Sequence, residues 1–377
     1  MRELKVAIIG GGGFMGYVHS LGWALAPIAA ATGASIRKAV LVEADDERAA
    51  AAAEKHGWDE YSSDWRAVIA RDDIDIVDIV TPPNSHREIA LAAIAAGKHV
   101  FLEKPITNDA AEAGEMTLAG REAGVVTQVG FNYRHTPAVR YIRKLIDDGT
   151  LGRPLQFRVH YLQDLGFVAG DLGWRSKKST GGSGASGDIG SHIVDLAEYL
   201  MGDVARVSSL VRTKRPGADT AWLSDEERIE GELLDDAALW LAEFESGAIG
   251  SFATSIFASG RKNRIFFELE ATKGTVEFDW NRREEVRLSL TSDPGDQQGF
   301  RTVIMGDKHE DIWWPIGGIG TGYIDGTAIQ LQKFVGAILS GGDGVPDFAS
   351  ATHVQQVIDA VIASGASHGW VDVPARP

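Results

Sequence analysis

The chain has 377 residues, 44% of them hydrophobic and 24% charged, a folded-protein composition with more length than one ordinary core uses, so about two domains are expected. A net charge of -16 argues against nucleic acid or an anionic membrane as the main partner, because either would need a basic surface. Zero cysteines exclude disulfides, thiolate metal sites and a thiol nucleophile. No apolar run is long enough to span a bilayer, and "MRELKVAIIGGGG" passes from a charged start into a strand without the apolar core of a signal peptide, so a cytoplasmic setting is expected.

In chain order, "LKVAIIG" is followed by a helix-like stretch, "RKAVLVEA" by the alanine-rich "DDERAAAAAEKHG", and "DIDIVDIVT" by "HREIALAAIAAG". Next, "KHVFLEK" precedes "NDAAEAGEMTLAGREAG", and "VVTQVGF" closes the series. Short β-branched runs separated by helices predict parallel strands buried on both faces, a doubly wound sheet over residues 1–130. "PAVRYIRKLIDDGTLG" predicts one more helix, after which the pattern changes. "PLQFRVHYLQD", "AALWLAEFESGAIGSFATSIFA" and "RIFFELEATKGTVEFDWNRREEVRLSL" alternate with period two and turn at "ESGA" and "TKGT". Residues 131–377 are therefore expected to form a second α/β domain on a large, mostly antiparallel open sheet. The polar stretch 212–232 reads as a surface loop.

"IIGGGGFMG" holds Gly11-x-Gly13-x-x-Gly16 between a strand and a helix, the setting in which this spacing binds a dinucleotide. The first glycine permits the turn, the second admits the pyrophosphate to the backbone, and the third lets helix and strand pack closely. A register on Gly10 and Gly12 would put Met15 in the third place and is disfavoured. At the end of the second strand Glu43 offers ribose hydroxyls an acceptor and repels a 2'-phosphate, which favours NAD over NADP, although Arg37 and Lys38 lie near the other end of that strand.

Ligands of open parallel sheets bind beyond the carboxyl ends of the strands. "VTPPNSH" follows one strand, "LEKP" the next and "GFNYRH" the one after, so Thr81, Pro82, Asn84, His86, Glu103, Lys104 and Asn132 are expected at the cofactor with Phe14 and Met15. Lys104 precedes a proline, which holds it out of the helical region and permits a cis bond. Farther on, "TGGSGASGDIGSHIVDLAEYL" runs from glycine-rich chain into a helix, where Asp188, His192 and Asp195 at i, i+4 and i+7 can share one face. Asp188 could serve only as an N-cap, His192 as a core histidine and Asp195 as a solvated acid. With no HExxH pattern and no cysteine, no metal is expected.

The glycine loop, "TPPNSH", "EKP" and "GGSGASGDIGSHIVD", in that order, resemble the Gfo/Idh/MocA oxidoreductases over essentially the whole chain. Within that family "FNYRHTPAV", "YLQD", Trp174-Arg175, "GFRTVIMG" and "GIGTGY" are similar to its bacterial sugar dehydrogenases. The resemblance implies an N-terminal Rossmann domain and a C-terminal domain for substrate binding and oligomerisation, used for homodimers or homotetramers. It implies that Lys104 works with Asp188 and His192, the glycines beside Asp188 letting the backbone approach nicotinamide and sugar.

Oxidising a secondary alcohol needs a base on the hydroxyl while hydride leaves the same carbon. Histidine can be that base near neutrality, and a lysine can once burial and a nearby cation disfavour its ammonium. Lys104 and His192 are the candidates, with Asp188 orienting His192 or binding a neighbouring hydroxyl. Tyr133, Gln163, Asp164, Arg175 and Tyr323 suit a polyol, and Trp174 and Arg175 are also expected at the cofactor. The expected reaction is NAD-dependent oxidation of a sugar, anhydrosugar or glycoside to a keto sugar. The alternatives are an inositol dehydrogenase and a nucleotide-binding regulatory protein that has lost catalysis.

Overall fold

The computed structural model describes residues 2–29, 33–168, 173–214, 222–224, 226–227, 233–309 and 316–377. The chain divides into two compact units, one of Met1–His135 with Gly322–Thr352 and Pro377, the other of Thr136–Thr321 with His353–Arg376.

The first unit is built on six parallel strands: β1 Arg2–Ile9, β2 Ala34–Val42, β3 Glu60–Ser62, β4 Ile76–Ile79, β5 His99–Leu102 and β6 Thr127–Val129. Their order is β3-β2-β1-β4-β5-β6, so the winding reverses between β1 and β4. The apolar runs read from the sequence are these strands, and residues such as Ile8, Leu41, Val77 and Phe101 are fully buried. β3, with the sequence EYS, has no apolar run to announce it. Helices α1 Phe14–Ala29, α2 Asp46–His56, α3 Trp65–Ile69, α4 His86–Ala95 and α5 Ala110–Ala123 make the crossovers.

A linear boundary at residue 130 misses one element of this unit. The helix Tyr323–Ser340 lies on α1, where a Cβ on Gly22 would meet Leu331 at 2.9 Å. Leu331, Phe334, Val335 and Ile338 join Trp23, Leu4 and Phe101 in one apolar cluster. α1 has an apolar flank that a distant piece of chain covers.

The second unit carries β7 Pro154–Leu162, β8 Val204–Arg212, β9 Ala237–Phe244, β10 Ile249–Ser255, β11 Arg264–Ala271, β12 Gly274–Asp279, β13 Glu285–Leu290, β14 Arg301–Ile304 and β15 Val371–Asp372. The order is β14-β13-β12-β11-β7-β10-β9-β8-β15, antiparallel throughout except for the β7/β10 pair. β8 and β14 lie outside the segments read as alternating, and most of the stretch 212–232 read as a loop lies outside the described residues. Helices α6 Pro137–Asp147, α7 Leu165–Val168, α8 Lys178–Gly181 and α9 Ser191–Met201 belong to the same unit. Along β9, Ala238, Trp240, Ala242 and Phe244 are buried while Leu239 and Leu241 are 57% and 54% exposed, so one face of the sheet is covered and the other is open.

Candidate active site

The glycine loop leaves β1 through Gly10, whose φ of 88° is left-handed, and the N–H groups of Gly10 and Gly11 both donate to Val42 O. A Cβ on Gly16 would lie 2.1 Å from Gly11 O, so α1 sits directly on the loop, whereas one on Gly13 would meet nothing within 4 Å. Gly16 thus has the packing place of the fingerprint and Gly13 the open one. Glu43, the residue after β2, accepts from the N–H groups of Gly12 at 2.9 Å and Ala44 at 3.1 Å. Arg37 and Lys38 are engaged elsewhere, on Asp59 and on His56 O at 2.6 Å each. The cation near Glu43 is one the sequence pattern did not single out, Arg48 in the first turns of α2, with Nη2 3.8 Å from Oε1. Phe14 is exposed, and Met15 is half-buried with its sulfur 4.0 Å from the hydroxyl of Tyr323, whose ring meets that of the buried Tyr133 edge-on.

At the ends of β4 and β5, the methyl of Thr81 lies against Gly10, where a Cβ would meet it at 2.8 Å, while Pro82 is half-buried and Asn84 exposed. His86, expected at the cofactor, is held by the backbone. It is 0% exposed, with Nδ1 3.1 Å from the carbonyls of Pro105 and Ile106 and Nε2 2.8 Å from that of Thr81, so it ties two loops together. Burial, outweighing those hydrogen bonds, pushes its pKa down. The Lys104-Pro105 bond is cis, Lys104 is half-buried, and Asn132 is buried where the chain leaves β6.

Behind Lys104 lies a buried charged group of which the sequence pattern singled out only Glu103. His19 Nδ1 is 2.9 and 3.0 Å from the two oxygens of Asp78, and Nε2 is 3.2 Å from Glu103 Oε1. Trp23 Nε1 donates to Asp78 Oδ2 at 2.7 Å, and the N–H of Lys104 donates to Glu103 Oε2 at 3.2 Å. Burial opposes the charge on His19, but Asp78 and then Glu103 outweigh it and raise its pKa to about 10. An acid inside the apolar run "DIVDIV" was the available signal, because a carboxylate there needs a buried partner.

In the second unit, residues Ser186–Gly190 form a π-helical turn that leads into α9, so Asp188 stands on a widened turn and His192 on the first turn of the α-helix. Such turns recur at functional sites because they re-aim a side chain without ending the helix. Asp188 is not a cap: neither element has a side-chain cap, and Asp188 Oδ2 instead accepts from Arg175 Nε at 3.3 Å. His192 is 4% exposed with its ring 6.0 Å from that of Tyr161, and Asp195 is 1% exposed rather than solvated.

Gln163 donates to Tyr161 Oη and Asn263 Oδ1, and the buried Asp164 accepts from Lys262 Nζ at 2.6 Å. The side chain of Trp174 lies outside the described residues. One glycine near Asp188 is required by packing, since a Cβ on Gly184 would lie 1.9 Å from Asp235 O, which accepts the N–H of Ala185. Asp235 Oδ2 also takes the N–H and hydroxyl of Ser186. Elsewhere in this unit Glu198, Asp203 and His353 converge closely enough to hold a cation, but Arg376 already lies on both acids.

A parallel sheet that reverses at β1/β4, with a glycine loop under a helix N-terminus and an acid closing the second strand, defines a dinucleotide-binding oxidoreductase domain. The open side of Gly13 and the acceptor Glu43 fit an anionic dinucleotide with free ribose hydroxyls. Residues 4–131 match the family model for the oxidoreductase family with an NAD-binding Rossmann fold, and residues 139–277 match that for a GFO/IDH/MocA C-terminal domain. A levoglucosan dehydrogenase of Pseudarthrobacter phenanthrenivorans is 41% identical over 388 residues, 99% of each chain. A solved structure of levoglucosan dehydrogenase in complex with NADH and levoglucosan superposes with a TM-score of 0.92 at 39% identity, covering 99% of this chain and 100% of the other. The scyllo-inositol 2-dehydrogenase (NAD(+)) of Bacillus subtilis is 30% identical over 241 residues, 64% of this chain and 66% of that one. The chain belongs to the Gfo/Idh/MocA oxidoreductase family, with an NAD-binding Rossmann domain followed by a domain on a mostly antiparallel sheet.

Proposed function

We propose that this protein oxidises a secondary ring hydroxyl of a sugar, anhydrosugar or glycoside, levoglucosan being the first substrate to try, with hydride passing to NAD. The observation that carries the reading is the full-length match, in sequence and in fold, to levoglucosan dehydrogenase. When bound, NAD supplies the hydride acceptor. The chain supplies the proton chemistry: Lys104 Nζ and a ring nitrogen of His192 are the proposed acceptors for the hydroxyl proton, and Asp188, with Arg175, fixes a neighbouring hydroxyl or the His192 ring. Tyr133 and Tyr323, together near Met15, and the Tyr161–Gln163–Asn263 group are the proposed contacts to ring carbon and hydroxyls.

NADH absorbance followed with levoglucosan, glucose, glycosides and inositols tests this. Turnover confined to inositols favours the cyclitol reading that the Bacillus relative supports, and NAD binding without turnover of any polyol overturns both in favour of a regulatory role. The proposal extends to a homodimer or homotetramer formed through the open face of the second sheet, supported by the exposed Leu210, Leu239 and Leu241. A cytoplasmic setting, where NAD is recycled, completes it.

A further inference from the structure

His19, Asp78, Glu103 and Trp23 form a closed group within the first unit, each no more than 6% exposed, and Glu103 links it to the Lys104 backbone. Both nitrogens of His19 face carboxylate oxygens, and a carboxylate can only accept, so both nitrogens carry protons and the ring is a buried cation. Two acids and a tryptophan N–H are thus gathered around one buried ring. A packing role alone would be met at lower cost by apolar residues of the same volume.

The group is also directional. His19 comes from α1, the helix that carries the glycine loop; Asp78 is in β4, where Trp23 holds its other side; Glu103 follows β5 and precedes Lys104. Glu103 is held at both oxygens, by His19 on Oε1 and by the Lys104 N–H on Oε2. A Cβ on Gly130 would meet Glu103 Oε1 at 2.6 Å, so the residue leaving β6 is kept small to admit this carboxylate. Phe101, edge-on to the His19 ring, closes the remaining side.

We infer that His19 is a positioning residue for the proposed reaction: through Glu103 it sets the orientation of the Lys104 backbone and the charge that the lysine amine senses. This rests on the reading of Lys104 as a proton acceptor, but its test does not need turnover. Competitive amine labelling of the full chain across pH, read residue by residue by mass spectrometry, gives the labelling midpoint of Lys104 beside that of the exposed Lys178.

His19→Gln and Glu103→Gln are each expected to move the Lys104 midpoint by about half a pH unit or more while leaving Lys178 in place. The double variant is expected to move it no further than Glu103→Gln alone, because the first residue acts through the second. In steady state each variant should lower kcat ~10-fold or more with its pH profile displaced, and His19→Gln should keep the NADH Kd within a few-fold. Should His19→Gln not fold, Glu103→Gln, which keeps the shape and the Oε1 acceptor, carries the same readouts. An unchanged Lys104 midpoint in a folded variant, or effects that simply add in the double variant, overturns the inference. If the wild-type protein turns over no polyol, the functional reading fails, and the labelling still decides the role of His19.

Discussion

Lys104 and Glu43 each test one half of the chemistry. Lys104→Ala is expected to lower turnover by ~10² to 10⁴ while NADH affinity, followed by fluorescence, changes little. Glu43→Gln keeps an acceptor for the Gly12 N–H but removes the charge facing Arg48, so kcat/KM for NADP should rise relative to NAD. An unaltered preference would mean that another residue excludes the 2'-phosphate. Asp236 tests the electrostatics away from chemistry. Burial, opposed by the Lys214 N–H and helped by Asp235, raises its pKa to about 6. A folded-state pKa above the unfolded one favours folding at pH below the unfolded value, and that contribution is lost as pH rises from about 4 to about 6. Thermal melts of Asp236→Asn, which can still accept the Lys214 N–H, should lack this loss and show a higher Tm than wild type at pH about 7.5.

The π-helical turn depends on close backbone contact as well as on the Asp235 carboxylate. Because Gly184 lies under the Asp235 carbonyl, Gly184→Ala sets a methyl against main chain that has no rotamer to give, at a cost of about 1–3 kcal/mol. Differential scanning calorimetry should show a lower Tm, and turnover should fall as well, since the same turn carries Asp188. Gly114, inside α5 with nothing near its would-be Cβ, is the contrasting site: Gly114→Ala should stabilise by about 0.5–1 kcal/mol, and a loss there would mean that α5 packs more tightly than its geometry indicates.

The open face of the nine-stranded sheet is the part of the surface that a single chain does not explain. Leu210, Leu239 and Leu241 stand out from neighbouring strands β8 and β9, with the half-buried His160 stacked on Phe266 on the same sheet. If copies of the chain meet there, Leu239→Glu with Leu241→Glu buries four like charges across a two-fold contact, and light scattering should report a smaller species with its Rossmann domain still binding NADH. An unchanged mass would place the contact elsewhere.

What could be read directly was whatever depends on neighbours in sequence. Strand and helix alternate because apolar runs and helical periods are local, and the glycine loop and Glu43 are recognisable because turn geometry and the end of a strand are set within a few residues. The spacing of Asp188 and His192 was legible for the same reason. The tertiary structure alone decided the rest. The helix Tyr323–Ser340 belongs with α1 across some 300 residues of chain, because an exposed apolar flank takes whichever distant segment fits it. His86, with a ring that looked available to a ligand, is consumed by three carbonyls, and Asp78, one acid among apolar residues, acquires its meaning only when His19 and Glu103 close around it. Burial and pairing are properties of the packed interior, where the cost of an unpaired charge selects partners that no local pattern names.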